Sequence, residues 1–190
     1  MVKFSTYYLQ NEGFADKVKL LGMLASLSLS TPLISKPAES LFTQLARHEG
    51  VMRKPYVDSK GNLTVGIGFN LNDSTNRKIL AKLGIKQADI NKGLSDQQIK
   101  SLFDESLRIA KLDAQKFLPN LNSHPIQVQN AIIDMAFNLG LPKLNKFVQF
   151  KKSLQQRDYT SASRHMLDSL WAKQVGNRAT YLASLVRSAK

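Results

Sequence analysis

Residues 48–71 read HEGVMRKPYVDSKGNLTVGIGFNL, and this stretch decides the fold class. Gly50 stops an apolar helical stripe that starts near Ser35 and Pro37 and runs through Leu41, Phe42, Leu45 and Ala46. Two short β-prone runs follow, one at Tyr56 and Val57 and one across residues 63–69, flanking a polar turn that contains Gly61. That pattern predicts a small hairpin or meander. Set in an otherwise helical chain, it makes the expected fold α+β.

Downstream, residues 76–83 predict a short helix ended by Gly84. Ser95 and Gln98 form a capping box ahead of an apolar face of Ile99, Leu102, Phe103 and Ala110, which predicts a long helix. Pro119 and Pro125 bracket a turn. Val128, Ile132, Met135, Ala136 and Leu139 then mark a buried core helix, stopped at Gly140 and Pro142. Further helices are expected over 144–156, 158–172 and 177–188. The architecture predicted is a small antiparallel β-containing lobe and a larger all-helical lobe, joined by a long helix. The cleft between such lobes is the natural place for a site.

The chain has 190 residues, 43% hydrophobic and 22% charged, which suits one globular domain over 39–190 with an N-terminal extension over 1–38. Cysteine is absent, so thiol nucleophiles, disulfides and Cys-based zinc sites are excluded. His48, His124 and His165 lack metal-ligand spacing and read as surface or cap residues. No cofactor motif is present. Lys and Arg outnumber Asp and Glu 27 to 14, a formal charge of +13 that favours polyanionic partners. Nucleic acid is one such partner, but no RNA-binding aromatic motif or zinc-finger spacing singles it out. In the extension, residues 20–34 are uncharged and weakly apolar. They are shorter than the about 20 residues of a permanent span. A signal peptide, a retained signal-anchor giving membrane association, and a helix packed on the domain all remain open for them.

Within 49–69 lie the groups that could carry chemistry. Glu49 ends a mostly apolar helix, where desolvation and the helix C-terminal dipole raise a carboxyl pKa. A carboxylic acid held protonated is what cleavage of a glycosidic bond requires at the leaving oxygen. Asp58, nine residues later, sits at the hairpin edge, where a wetter setting keeps it ionised. Thr64, on the returning strand, offers a hydroxyl, so that carboxylate and hydroxyl together could hold one water. Spacing alone leaves open that both acids are solvated surface groups. Gly66 and Gly68 would allow a ligand close to the backbone, or mark a strand bend.

These residues resemble the catalytic segment of the phage-type (T-even) lysozymes, glycoside hydrolase family 24. The shared pattern is Glu49-Gly50, Asp58 and Thr64-Val65-Gly66-Ile67-Gly68. It continues through Ser95-Asp96 to Leu102-Phe103, Met135-Ala136-Phe137-Asn138-Leu139-Gly140, Leu154-Gln155-Gln156, Trp171 and Asn177-Arg178-Ala179, covering about residues 39–188. The resemblance implies a lysozyme-like fold, with Glu49 as general acid and Asp58 and Thr64 positioning water for an inverting hydrolysis. It implies that Gly68, Leu71, Phe137 and Asn138 meet the sugar and that Arg178 orients Glu49. Trp171 reads as packing rather than stacking. Phe69 stands where T-even lysozymes carry a histidine, so their His–Asp ion pair should be missing, and Asn138 replaces a glutamine. The expected substrate is peptidoglycan, cut by a monomer without metal or cofactor at the bacterial wall. Anionic envelope polymers or lipopolysaccharide would be secondary partners, and no specific nucleic acid is expected. A lysozyme-like wall binder, a lytic transglycosylase and a basic nucleic-acid-binding protein are the competing readings.

Overall fold

The computed structural model describes residues 41, 44–45, 52–58, 61–66 and 68–190. The expectations for residues 1–38, His48 and Glu49 lie outside these. Leu41, Gln44 and Leu45 are helical, in keeping with the apolar stripe that contains them.

A three-stranded antiparallel sheet follows in the order β1 (Met52–Val57), β2 (Leu63–Gly66) and β3 (Phe69–Asn70). β1 is an edge strand with an irregular register between Met52 and Tyr56. Pro55 falls within that irregularity; it has no N–H to give a ladder, so an edge strand tolerates it. Thr64 is paired with both Tyr56 and Asn70, which places the three on one face, while Val65 pairs with Phe69 on the other. The β2–β3 connection holds Gly66 at φ 65° and Gly68 at φ 68°. This left-handed backbone explains the alternating glycines, since a Cβ there would be strained.

Eight helices complete the described chain. Asp73 caps α1 (Ser74–Lys82), its carboxylate accepting from the N–H groups of Thr75 and Asn76. α2 (Gln87–Lys92) was not expected from the sequence; it has only six residues and one buried side chain, Ile90, so it carries almost no periodic signal. α3 (Asp96–Phe117) opens with the anticipated capping box: Gln98 N–H donates to Ser95 Oγ, and Ser95 N–H to Gln98 Oε1. α4 (Ile126–Leu144) buries Val128, Ala131, Ile132, Met135 and Ala136. Gly140, at φ 68° and ψ 162°, breaks the helical path where the sequence predicts a stop, and a further short helical stretch runs on through Leu144. The helix expected over 144–156 is confined to α5 (Val148–Gln155). The one expected over 158–172 divides into α6 (Tyr159–Leu167) and α7 (Leu170–Val175), because Ser169 caps a new start by accepting from Ala172 N–H. α8 (Asn177–Arg187) closes the chain.

The buried apolar side chains form two clusters. One gathers Val65, Phe69, Ile79, Ile90, Ile99, Leu102 and Phe103 around the sheet. The other gathers Ala114, Phe117, Ile132, Met135, Phe150, Leu154, Met166 and Leu182 among α3 to α8. α3 serves both, with its first turns in the sheet-side cluster and its last in the helical one. Leu41, Leu107 and Phe137 pack against both. Phe69 is an apolar core residue of the sheet side.

His124 is a cap residue, closing a 3-10 turn at Leu121–Ser123 with its N–H bonded to Leu121 O, but it is not a surface one. It is 3% exposed, with Nδ1 3.0 Å from the Tyr159 hydroxyl and the two rings edge to face. Burial, aided by the nearby Arg157 cation, holds its pKa below the ordinary imidazole value. Among the described residues, no helix is long and apolar enough to cross a membrane.

Candidate active site

The turn between β1 and β2 builds its geometry locally. Asp58 N–H donates to Asn62 O at 2.9 Å, and Asn62 N–H returns to Asp58 Oδ1 at 2.8 Å. The Asn62 side-chain amide also donates to Asp58 Oδ2 at 3.1 Å. These bonds fix the direction in which the carboxylate points. Thr64 is 2% exposed and donates its hydroxyl to Asn62 O at 3.3 Å. The hydroxyl hydrogen is thereby used, and its lone pairs remain to accept. Asp58 and Thr64 are thus brought together through Asn62. The sequence reading passed over Asn62 as a turn residue; its signal was an amide four positions after the acid and two before the threonine.

Arg178 lies at the start of α8 and is buried. Its Nε donates to Asp134 Oδ1 at 2.7 Å. Asp134, on α4, is fully buried and also accepts from Gln44 Nε2 at 2.6 Å. A buried carboxylate is tolerated only with such partners. Gln44 and Asp134 were not singled out in the sequence. A lone Asp on an otherwise apolar helix face was the available sign, since a charge at a core position demands a partner.

A pocket of about 140 Å³ lies between the β2–β3 connection, α1, α3 and α4. Gly68 and Phe137 line it; Leu71 does not, and packs instead against the sheet-side cluster, its N–H bonded to Leu63 O. The Phe137 ring is tilted against Phe103 at 5.9 Å, so it serves core and pocket together. Asn138 accepts from Trp171 Nε1 at 2.9 Å. Trp171 is buried and meets Phe147 edge to face at 6.0 Å, a packing role. Among the described residues no three His, Asp or Glu side chains cluster as a metal site would require.

The sequence profile of the phage lysozyme family matches residues 46–189, well over half of the chain. The protein belongs to that family. Its relatives include two proteins of Dictyostelium discoideum, probable T4-type lysozymes 1 and 2. The first is 24% identical over 78% of this chain and 94% of the relative, the second 26% over 77% and 92%. The chain is also 27% identical, over 82% of its length, to the pre-baseplate central spike protein Gp5 of Enterobacteria phage T4, of which it spans only 29%. Family membership supports a muramidase-like activity.

Proposed function

We propose that the protein is a muramidase that hydrolyses the β-1,4 bond between N-acetylmuramic acid and N-acetylglucosamine in peptidoglycan. In this reading residues 39–190 form the catalytic domain. The two apolar clusters are the cores of two lobes, and the substrate lies in the cleft between them. Glu49 donates its proton to the leaving glycosidic oxygen. Asp58 takes a proton from a water that Thr64 helps to hold, and that water attacks the anomeric carbon from the opposite face, giving inversion. Arg178 orients Glu49, while Asp134 balances the guanidinium charge. Gly68, Phe137 and Asn138 contact sugar, with Leu71 at the margin.

The observation that carries this reading is the convergence of Asp58 and Thr64 on Asn62. A wall-binding module has no need of a proton donor such as Glu49. The positive charge of the chain would concentrate it on anionic wall polymers or lipopolysaccharide. The test is mass spectrometry of the fragments released from purified peptidoglycan by wild type and by Glu49→Gln. Reducing muramic ends from wild type alone are expected. Anhydro-muramic ends would reassign the reaction to lytic transglycosylation, and release by neither protein would overturn the enzyme reading.

A further inference from the structure

For a chain of charge +13, the pocket beside the β2–β3 connection has an unexpected floor. Among the described residues, its single ionisable lining residue is a carboxylate, Asp113 of α3. Asp113 accepts from Leu141 N–H at 3.3 Å through Oδ2 and makes no ion pair among the described residues. Two other polar side chains line the pocket. The Asn76 amide donates to Asn70 O at 2.8 Å, leaving one N–H and Oδ1. The Ser106 hydroxyl donates to Leu102 O at 2.8 Å, leaving its lone pairs. Asp113 is the charged group among them. A carboxylate beside apolar walls complements a primary ammonium, which has three N–H donors and no acceptor. The surrounding Phe69, Ile109 and Phe137 would take the carbon chain or ring that bears it. The volume is roughly that of a cavity able to hold a benzene-sized group.

We propose that this pocket binds a primary ammonium group of the substrate, with Asp113 as the specificity-determining residue. Such a group occurs on peptidoglycan as an amino sugar lacking its acetyl group, or as the side-chain amine of a diamino acid in the stem peptide. The proposal rests on the muramidase reading for its biological substrate.

The test uses the full chain and two probes, glucosamine and cadaverine, with N-acetylglucosamine as the control, followed by amide NMR. Both or either amine should shift the amides of Gly68, Ala110 and Ala136 in wild type. Asp113→Asn keeps an acceptor for Leu141 N–H and removes only the charge; it should weaken amine binding about tenfold and leave the control unchanged. Glucosamine alone binding assigns the amino sugar, and cadaverine alone assigns the stem peptide. Absence of amine shifts in wild type, or equal amine binding by the two proteins, overturns the proposal. In parallel, peptidoglycan whose amines have been acetylated should be cut less efficiently by wild type, whereas Asp113→Asn should not distinguish it from untreated material. Muropeptide release by wild type tests the muramidase reading separately, because the binding arm does not depend on turnover.

Discussion

The sheet side and the helical side assemble their halves of the site at different ranges along the chain. On the sheet side, Asp58, Asn62 and Thr64 are bonded across four and two residues. On the helical side, Arg178 reaches Asp134 across 44 residues, Gln44 reaches Asp134 across 90, and Trp171 reaches Asn138 across 33. The first half is a local turn that needs only its own strands. The second exists only when α4, α8 and the helical segment at Gln44 have packed. Buried charge follows the same division. Among the described residues both buried charged side chains, Asp134 and Arg178, belong to the long-range half, while the sheet side buries only the neutral Thr64.

The largest effect should come from breaking the long-range half. Asp134→Ala takes the buried carboxylate partner away from the Arg178 cation and is expected to cost about 3–5 kcal/mol of stability. Urea denaturation of wild type, Asp134→Ala, Arg178→Met and the double variant would check this. The double variant should lose less than the sum of the singles, and strict additivity would mean that the pair is not coupled.

A smaller effect is expected in the local half. Asn62→Ala removes the side-chain bonds to Asp58 but keeps the backbone N–H that reaches Oδ1. Stability should fall by only about 1 kcal/mol. Turnover should fall by about tenfold at little change in KM, since aiming of the carboxylate matters to the reaction more than to binding. A large stability loss with unchanged turnover would assign Asn62 to folding alone.

The smallest effect concerns Glu105, which joins Lys82 of α1 to Arg108 within α3. Hydrogen bonds from Arg108, then Lys82, hold its carboxyl at about 2, below the ordinary 4.5. A carboxylate depressed in the folded state contributes stability above its unfolded pKa and loses it as pH falls through the folded one. The difference in Tm between wild type and Glu105→Gln should therefore be constant above about pH 4.5 and shrink toward pH 2. A difference that does not vary with pH would show that the ion pair contributes nothing on the sheet side; both cations are well exposed, so the difference itself should be small.

Legibility in the sequence follows the same local and long-range division. The capping box at Ser95, the glycines at 66 and 68 and the apolar face of α4 were readable because each depends on residues within about one or two helical turns. The split between α6 and α7 was missed because Ser169 is an ordinary residue until its hydroxyl caps Ala172 N–H. The burial of His124 was missed because nothing near it in the chain announces Tyr159, 35 residues away.

By itself, then, the sequence determined the α+β class, the order of the main helices, the family, and the turn that carries Asp58 and Thr64. Propensity, capping and turn chemistry act over short separations and leave marks that can be read in order. Only the tertiary structure decided that Arg178 meets Asp134, that Phe137 belongs to core and pocket at once, and that Asp113 lines that pocket. Those pairings bring together residues that no local preference connects. They are settled by which apolar faces bury one another, and polar side chains carried into that packing must then find partners.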